Sequence, residues 1–295
     1  MQPDSALASR PIGVFDSGVG GLSVLRQLLR LLPQEDFIYL ADTAWAPYGE
    51  RSTEEIQQRS LAITRHLVDT HAIKLLVVAC NTATAQAVHA IREAYPALPI
   101  VGIEPAIKPA AALTLTGHIG IMATHATVQS QRFQRLVQEW SGDRQMHIQA
   151  CNGLALAIEN ALENQANPDG ETVESLCRRY VQALGSFVQD DAINGIDTLV
   201  LGCTHYPFAA DVLRPLVGPG VRLIEPGEPV ARQTARLLES AHLLRPETLE
   251  HSVLHHGHLE LLCTAAPRRL EQAARQWLHL PRASAQLLSN YAEAP

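Results

Sequence analysis

Short apolar runs recur along this chain, each closing on small polar residues and each followed by apolar positions at helical spacing. Ile12-Gly13-Val14-Phe15 reads as a strand that ends in Asp16-Ser17-Gly18-Val19-Gly20-Gly21. Leu22, Leu25, Leu28, Leu29 and Leu32 then mark one face of a helix over 22–32. Phe37-Ile38-Tyr39-Leu40 is a second strand, followed by a polar loop from Asp42 to Arg51 that carries Pro47-Tyr48-Gly49. Ser52-Thr53-Glu54-Glu55 opens a helix with acidic residues in its first turn, where they complement the helix dipole. Lys74 to Ala79 is the third strand and Ile100-Val101-Gly102-Ile103 the fourth. Strands that alternate with helices in this way predict a parallel α/β sheet.

The rhythm then begins again. Ile119-Gly120-Ile121-Met122-Ala123-Thr124 repeats Ile12-Gly13-Val14-Phe15-Asp16-Ser17 as a strand ending in small polar residues. Leu75-Leu76-Val77-Val78-Ala79-Cys80-Asn81-Thr82 has its counterpart in Leu199-Val200-Leu201-Gly202-Cys203-Thr204-His205-Tyr206. The repetition points to an internal duplication with insertions. A helix over Val230–Leu244, a strand over His258–Cys263 and a helix over Arg268–Trp277 follow. They are expected to return and complete the first half, since the second already has its strands. The expected domains are 10–105 with 220–282, and 106–219, leaving 1–9 and 283–295 as tails.

In an open parallel sheet, ligands bind beyond the carboxyl ends of the strands. Asp16-Ser17, Cys80-Asn81-Thr82, Thr124 and Cys203-Thr204-His205 all fall at such ends. A cysteine at a strand-to-helix turn meets outward-pointing helix N–H groups, which favour the thiolate. One such cysteine suggests a nucleophile. Two in equivalent settings suggest a pair acting on opposite sides of one substrate.

Composition narrows the field. The 295 residues suit two domains, and 46% hydrophobic with 18% charged residues is the balance of a globular chain. A net charge of −7 argues against nucleic acid or an anionic membrane as a main partner. No apolar run is long enough to span a bilayer, and the N-terminus lacks the basic and apolar regions of a secretory signal. Five scattered cysteines do not form a disulfide framework, so a cytoplasmic location is expected. Lys74 and Lys108 are the only lysines, and neither has a companion phosphate loop, which disfavours a pyridoxal phosphate enzyme.

Gly18-Val19-Gly20-Gly21 lacks the spacing of a dinucleotide loop but could receive a carboxylate on its N–H groups. His251, His255, His256 and His258 lack zinc-type partners and read as a solvated turn, so no metal is expected. Cys151, Cys177 and Cys263 sit among apolar or helical neighbours and read as small core residues.

The segments Asp16–Gly21, Pro47-Tyr48-Gly49, Ala79-Cys80-Asn81-Thr82-Ala83 and Gly202-Cys203-Thr204-His205-Tyr206-Pro207 resemble the signature blocks of the bacterial glutamate racemases, in order and spacing from about residue 12 to 280. The resemblance implies two similar flavodoxin-like parallel-sheet domains related by a pseudo-two-fold axis, with the active site in the cleft between them. It implies a cofactor-independent racemase making D-glutamate for peptidoglycan. Cys80 and Cys203 would be the acid/base thiols. Asp16 with Ser17, Tyr48 with Gly49, Asn81 with Thr82, and Thr204 with His205 would hold glutamate. Glu159 would assist on the side of Cys203. The chain departs from the family pattern at Asn152-Gly153-Leu154-Ala155, where prolines are usual, and at Glu225-Pro226.

Racemisation removes an α-proton and returns one to the opposite face, which two bases accomplish without turning the intermediate. A thiol with a reference pKa of about 8.5 can serve as acid or base near neutral pH. Asp16 beside Cys80 and His205 beside Cys203 are the expected proton partners, and Asn81, Thr82, Thr124 and Thr204 suit the substrate carboxylate. An aspartate racemase shares this logic. A cysteine hydrolase using Cys203 and His205 is a rival, although one intervening residue is expected to aim the two side chains apart. A two-lobed binding protein is a third reading. Oligomeric state is left open, with a homodimer among the options.

Overall fold

The computed structural model describes residues 5–167, 169–188, 195–245 and 257–288. The chain forms two compact units, 1–103 with 227–295, and 104–226.

The first unit is built on strands β1 (Ile12–Asp16), β2 (Phe37–Ala41), β3 (Leu75–Val78) and β4 (Ile100–Gly102), with β9 (Leu259–Cys263) and β10 (Ala285–Leu287) added from the later stretch. Their order is β10-β9-β2-β1-β3-β4, and every pairing is parallel. β1, β2 and β3 are buried along their whole length, which is why they read as continuous apolar runs without alternation. Helices α2 (Leu22–Leu31), α3 (Thr53–His71), α4 (Asn81–Ala94), α11 (Gly227–Ser240) and α12 (Pro267–Trp277) complete the layers. α3 starts where the sequence says: the Ser52 hydroxyl accepts from the Glu55 N–H at 3.2 Å, and the Glu55 carboxylate accepts from the Ser52 N–H at 2.9 Å. One side of the sheet encloses a core of Phe15, Leu40, Ile56, Ile63, Leu67, Leu76 and Val78, which Tyr48 and Cys80 join.

The second unit holds β5 (His118–Ala123), β6 (Gln145–Ala150), β7 (Thr198–Gly202) and β8 (Arg222–Ile224), in the order β6-β5-β7-β8 and again all parallel. Its helices are α5 (Ile107–Leu113), α6 (His125–Gln129), α7 (Gln131–Ser141), α8 (Leu154–Leu162), α9 (Val173–Leu184) and α10 (Ala210–Val217). Numbered within each half, the second sheet runs 2-1-3-4 and the first contains the same run with β9 and β10 added beyond β2, the start of the flavodoxin-like order. The order reverses between β1 and β3 in one unit and between β5 and β7 in the other. Those strands carry the two cysteine motifs at their carboxyl ends.

Three expectations need correction. Residues 5–8 of the presumed N-terminal tail form a helical turn, α1 (Ser5–Ala8), whose Ala8 is buried and accepts from the Lys74 ammonium at 2.5 Å. Lys74 in turn pairs with Glu35 at 2.5 Å, both side chains fully buried. Residues 285–287 of the presumed C-terminal tail form β10, paired to β9. The return to the first unit comes at Gly227 rather than 220, because β8 is bonded to β7. His251, His255 and His256 lie outside the described residues; His258 precedes β9, and its N–H donates to Asp36 at 2.6 Å.

Candidate functional site

In the first unit, β1 ends on Asp16, which is fully buried. Its carboxylate accepts from the Ser17 N–H at 2.8 Å and from the Gly21 N–H, so the turn into α2 folds around it. Gly21 is required by close approach: a Cβ there would lie 2.7 Å from Asp16 Cβ and 2.8 Å from the Tyr39 hydroxyl. Cys80 follows β3 and caps α4, with its Sγ accepting from the Ala83 N–H at 3.4 Å and donating to the Ser17 hydroxyl at 3.5 Å.

The expected helix N–H does reach the Cys80 sulfur, from Ala83, but it does not act alone. Burial pushes the thiol up and the Asp16 charge adds to it; the Ala83 N–H and Ser17 pull the other way and do not prevail. Asn81 and Thr82 open α4 and are buried. Both amide atoms of Asn81 are buried without a hydrogen-bond partner in the protein. Tyr48 and Gly49 lie in a 3-10 turn over Tyr48–Glu50, with Tyr48 in the core beside Cys80 and its hydroxyl donating to Asp42 at 2.6 Å.

In the second unit, Cys203 follows β7. α10 begins only at Ala210, after a 3-10 turn over Tyr206–Ala209, so the expected helix N-terminus is not at this thiol. Its partner is His205, with Sγ 3.7 Å from Nδ1. The expectation that these side chains diverge fails because the Tyr206 N–H closes a turn onto the Cys203 carbonyl at 3.2 Å, which brings both to one side. His205 Nε2 lies 2.8 Å from Glu159 Oε1, and both side chains are buried. Burial alone would lower His205, yet the hydrogen bonds and charges of Cys203 and Glu159 together raise it well above the ordinary value. Glu159 reaches it from α8, whose entry turn contains Gly153 at a φ of 75°. That turn is held by Tyr180, which donates to the Asn152 carbonyl at 2.6 Å, and by Tyr206, which donates to the Cys151 carbonyl at 3.3 Å. Thr124 caps α6, accepting from the Thr127 N–H at 3.3 Å, and Thr204 is buried beside Cys203.

Cys80 with Asp16, Ser17, Tyr48, Gly49, Asn81 and Thr82 thus falls in one unit, and Cys203 with Thr124, Glu159, Thr204 and His205 in the other. Cys151 follows β6 near Cys203, with burial and then the Cys203 charge pushing its thiol up, whereas Cys177 and Cys263 lack such settings. Burial pushes Cys177 up to about 12, and burial followed by the Glu271 charge pushes Cys263 up to about 11. Sequence reasoning passed over Asp42 and Arg59, which meet through two bonds at 2.7 and 2.8 Å. The signal was present, since Asp42 follows β2 as Asp16 ends β1. Tyr180 and Tyr206 carried none, because a hydroxyl that bonds a carbonyl far along the chain leaves no mark in local spacing.

The sequence profile of Asp/Glu/Hydantoin racemases matches residues 12–234. The chain is 51% identical to a glutamate racemase of Herpetosiphon aurantiacus over 84% of its length and 92% of that protein. It is 48% identical to one of Ectopseudomonas mendocina over 79% of its length and 84% of that protein. Among solved structures, glutamate racemase isoform RacE1 of Bacillus anthracis is similar with a TM-score of 0.80 and 32% identity, covering 96% of this chain and 99% of that one. The Escherichia coli glutamate racemase, solved with L-glutamate and the activator UDP-MurNAc-ala, gives a TM-score of 0.73 and 33% identity over 90% of this chain and 95% of that one. With two parallel sheets, each carrying a cysteine at the end of its third strand, and with a profile match over most of its length, the chain belongs to the Asp/Glu/Hydantoin racemase family.

Proposed function

We propose that the protein is a glutamate racemase that interconverts L- and D-glutamate through Cys80 and Cys203, without a cofactor, and supplies D-glutamate for peptidoglycan in the cytoplasm. The observation that carries the reading is the matched placement of the two cysteines, each just after the third strand of its unit, with unlike neighbours. Burial and the Asp16 charge push the Cys80 thiol up. Cys203 touches an imidazole whose protonated form is favoured and which Glu159 orients. A two-base racemase needs one proton donor and one acceptor at a time, and these different surroundings support such a division.

In the proposed reaction, the Cys203 sulfur takes the α-proton, with cationic His205 stabilising the charge on that side. Cys80 delivers a proton to the opposite face. Run backwards, Cys80 loses its proton first. The α-ammonium of glutamate then supplies the positive charge that offsets burial and Asp16. Negative charge that builds on the substrate carboxylate during abstraction is met by Asn81 and by the hydroxyls of Thr82, Thr124 and Thr204. The unpartnered amide of Asn81 supports this role.

A hydrolase reading has one observation in its favour, since Cys203, His205 and Glu159 are arranged as nucleophile, base and orienting carboxylate. It leaves Cys80, Ser17 and Asp16 without a task. Incubating the protein with each enantiomer of glutamate and of aspartate while following optical rotation tests the proposal. Glutamate rotation should decay to zero from either side. Cys80→Ala and Cys203→Ala should each abolish the decay while folding is retained, and Cys177→Ala and Cys263→Ala should preserve it. Selective decay of aspartate, or full activity in either of the first two variants, would overturn it.

A further inference from the structure

Asp42 follows β2 and is fully buried in the first unit, and its carboxylate is the meeting point of three elements. Arg59 of α3 donates to it from Nε at 2.8 Å and from Nη2 at 2.7 Å. Thr264, just after β9, donates at 2.8 Å, and Tyr48 donates at 2.6 Å. The main chain of Asp42 joins the same site, its N–H donating to the Asp16 carbonyl at 2.9 Å. Neighbouring bonds close the segment further. The Ala44 N–H donates to the Thr264 hydroxyl at 3.0 Å, and the Ala265 N–H donates to the Thr43 hydroxyl at 3.0 Å. Trp45 packs on the core that Tyr48 and Cys80 share, beneath the guanidinium groups of Arg51 at 5.1 Å and Arg59 at 5.3 Å from its ring.

We infer that Asp42 is a positioning residue, which through the Tyr48 hydroxyl fixes the Pro47–Gly49 segment beside Cys80 and through its backbone fixes Asp16. The inference rests on the racemase reading for what that segment holds, namely glutamate. A carboxylate buried this deeply is stable only when paired and fully bonded, and the bidentate Arg59 provides that. With its charge balanced, the carboxylate still draws the phenol O–H, and the hydroxyl of Tyr48 is committed to it. Burial, followed by the Asp42 charge, raises the Tyr48 phenol well above its ordinary value, so it stays a neutral donor. What Tyr48 contributes is then the placement of its ring and backbone, not a proton.

Asp42→Asn would leave the Arg59 charge unbalanced in the core and could prevent folding, so the test uses gentler changes. Tyr48→Phe removes one O–H and keeps the pair; Thr264→Val removes another donor at similar shape. Loss of a hydrogen bond to a charged acceptor corresponds to about a tenfold change. Tyr48→Phe should raise the KM for glutamate about tenfold with kcat within about twofold, and should speed amide hydrogen exchange selectively over residues 42–51. Thr264→Val should move both readouts the same way by less, and the double variant should raise KM by less than the product of the two. Unchanged exchange in Tyr48→Phe overturns the inference whatever its KM. A fall in kcat at constant KM also does, since it would place the hydroxyl in the chemistry. A wild-type protein that leaves glutamate untouched overturns the racemase reading instead, and hydrogen exchange still decides whether Asp42 holds the segment.

Discussion

His205 is buried, and the hydrogen bonds and charges of Cys203 and then Glu159 outweigh that burial and favour its charged form. Because its folded value lies above the ordinary value near 6.5, its ionic contribution to stability is complete below that pH. It is lost as pH rises through the raised folded value. Glu159→Gln should therefore cost about 1–3 kcal/mol just below pH 6.5, and the gap from wild type should close as pH rises further. Urea unfolding at several pH values measures it, and a gap that did not vary with pH would show that the contact is not ionic. Racemisation should fall at least about tenfold in the same variant, because the imidazole loses the partner that orients it.

At the scale of elements, the site is made by where strands stop. β1 and β3, and β5 and β7, flank the reversal of strand order in their sheets, so their carboxyl ends open side by side. These strands were legible because burial on both faces leaves unbroken apolar runs, and the polar residues that end them stand out. β6 was not legible, since it is an edge strand of half-exposed residues, Gln145 to Ala150, with no apolar run. β10 is three residues long and its identity comes from pairing with β9, which local sequence does not encode. The Cys203–His205 contact depends on a local turn bond from the Tyr206 N–H to the Cys203 carbonyl, which the one-residue spacing does not reveal. Gly21 tests how tightly one of these ends is packed. Gly21→Ala would drive a methyl into Asp16 and Tyr39, costing about 1–3 kcal/mol. That corresponds to roughly 2–4 °C of melting temperature per kcal/mol, read by calorimetry. Activity should fall further than stability, because relieving the clash shifts the Gly21 N–H that bonds the Asp16 carboxylate. A variant with wild-type turnover would show that the Asp16 carboxylate need not hold this position.

At the scale of the whole chain, one topology is used twice with different chemistry at the equivalent point. The first copy surrounds its cysteine with a carboxylate and a hydroxyl, and the second with an imidazole and a glutamate. If each copy supplies one base, the proton removed and the proton delivered never share a sulfur. Racemisation in D₂O from one enantiomer, stopped early, should then give product carrying deuterium at Cα. The thiol that delivers has exchanged with solvent before substrate binds. The remaining substrate should keep its protium, because the abstracted proton rests on the other sulfur, which can return it only to the face it came from. A single base serving both faces would carry protium from substrate into product, and a hydrolase would label neither. Mass spectrometry of the separated enantiomers distinguishes the three. Abundant protium in early product would dismiss the division of labour between Cys80 and Cys203, even if both thiols proved essential.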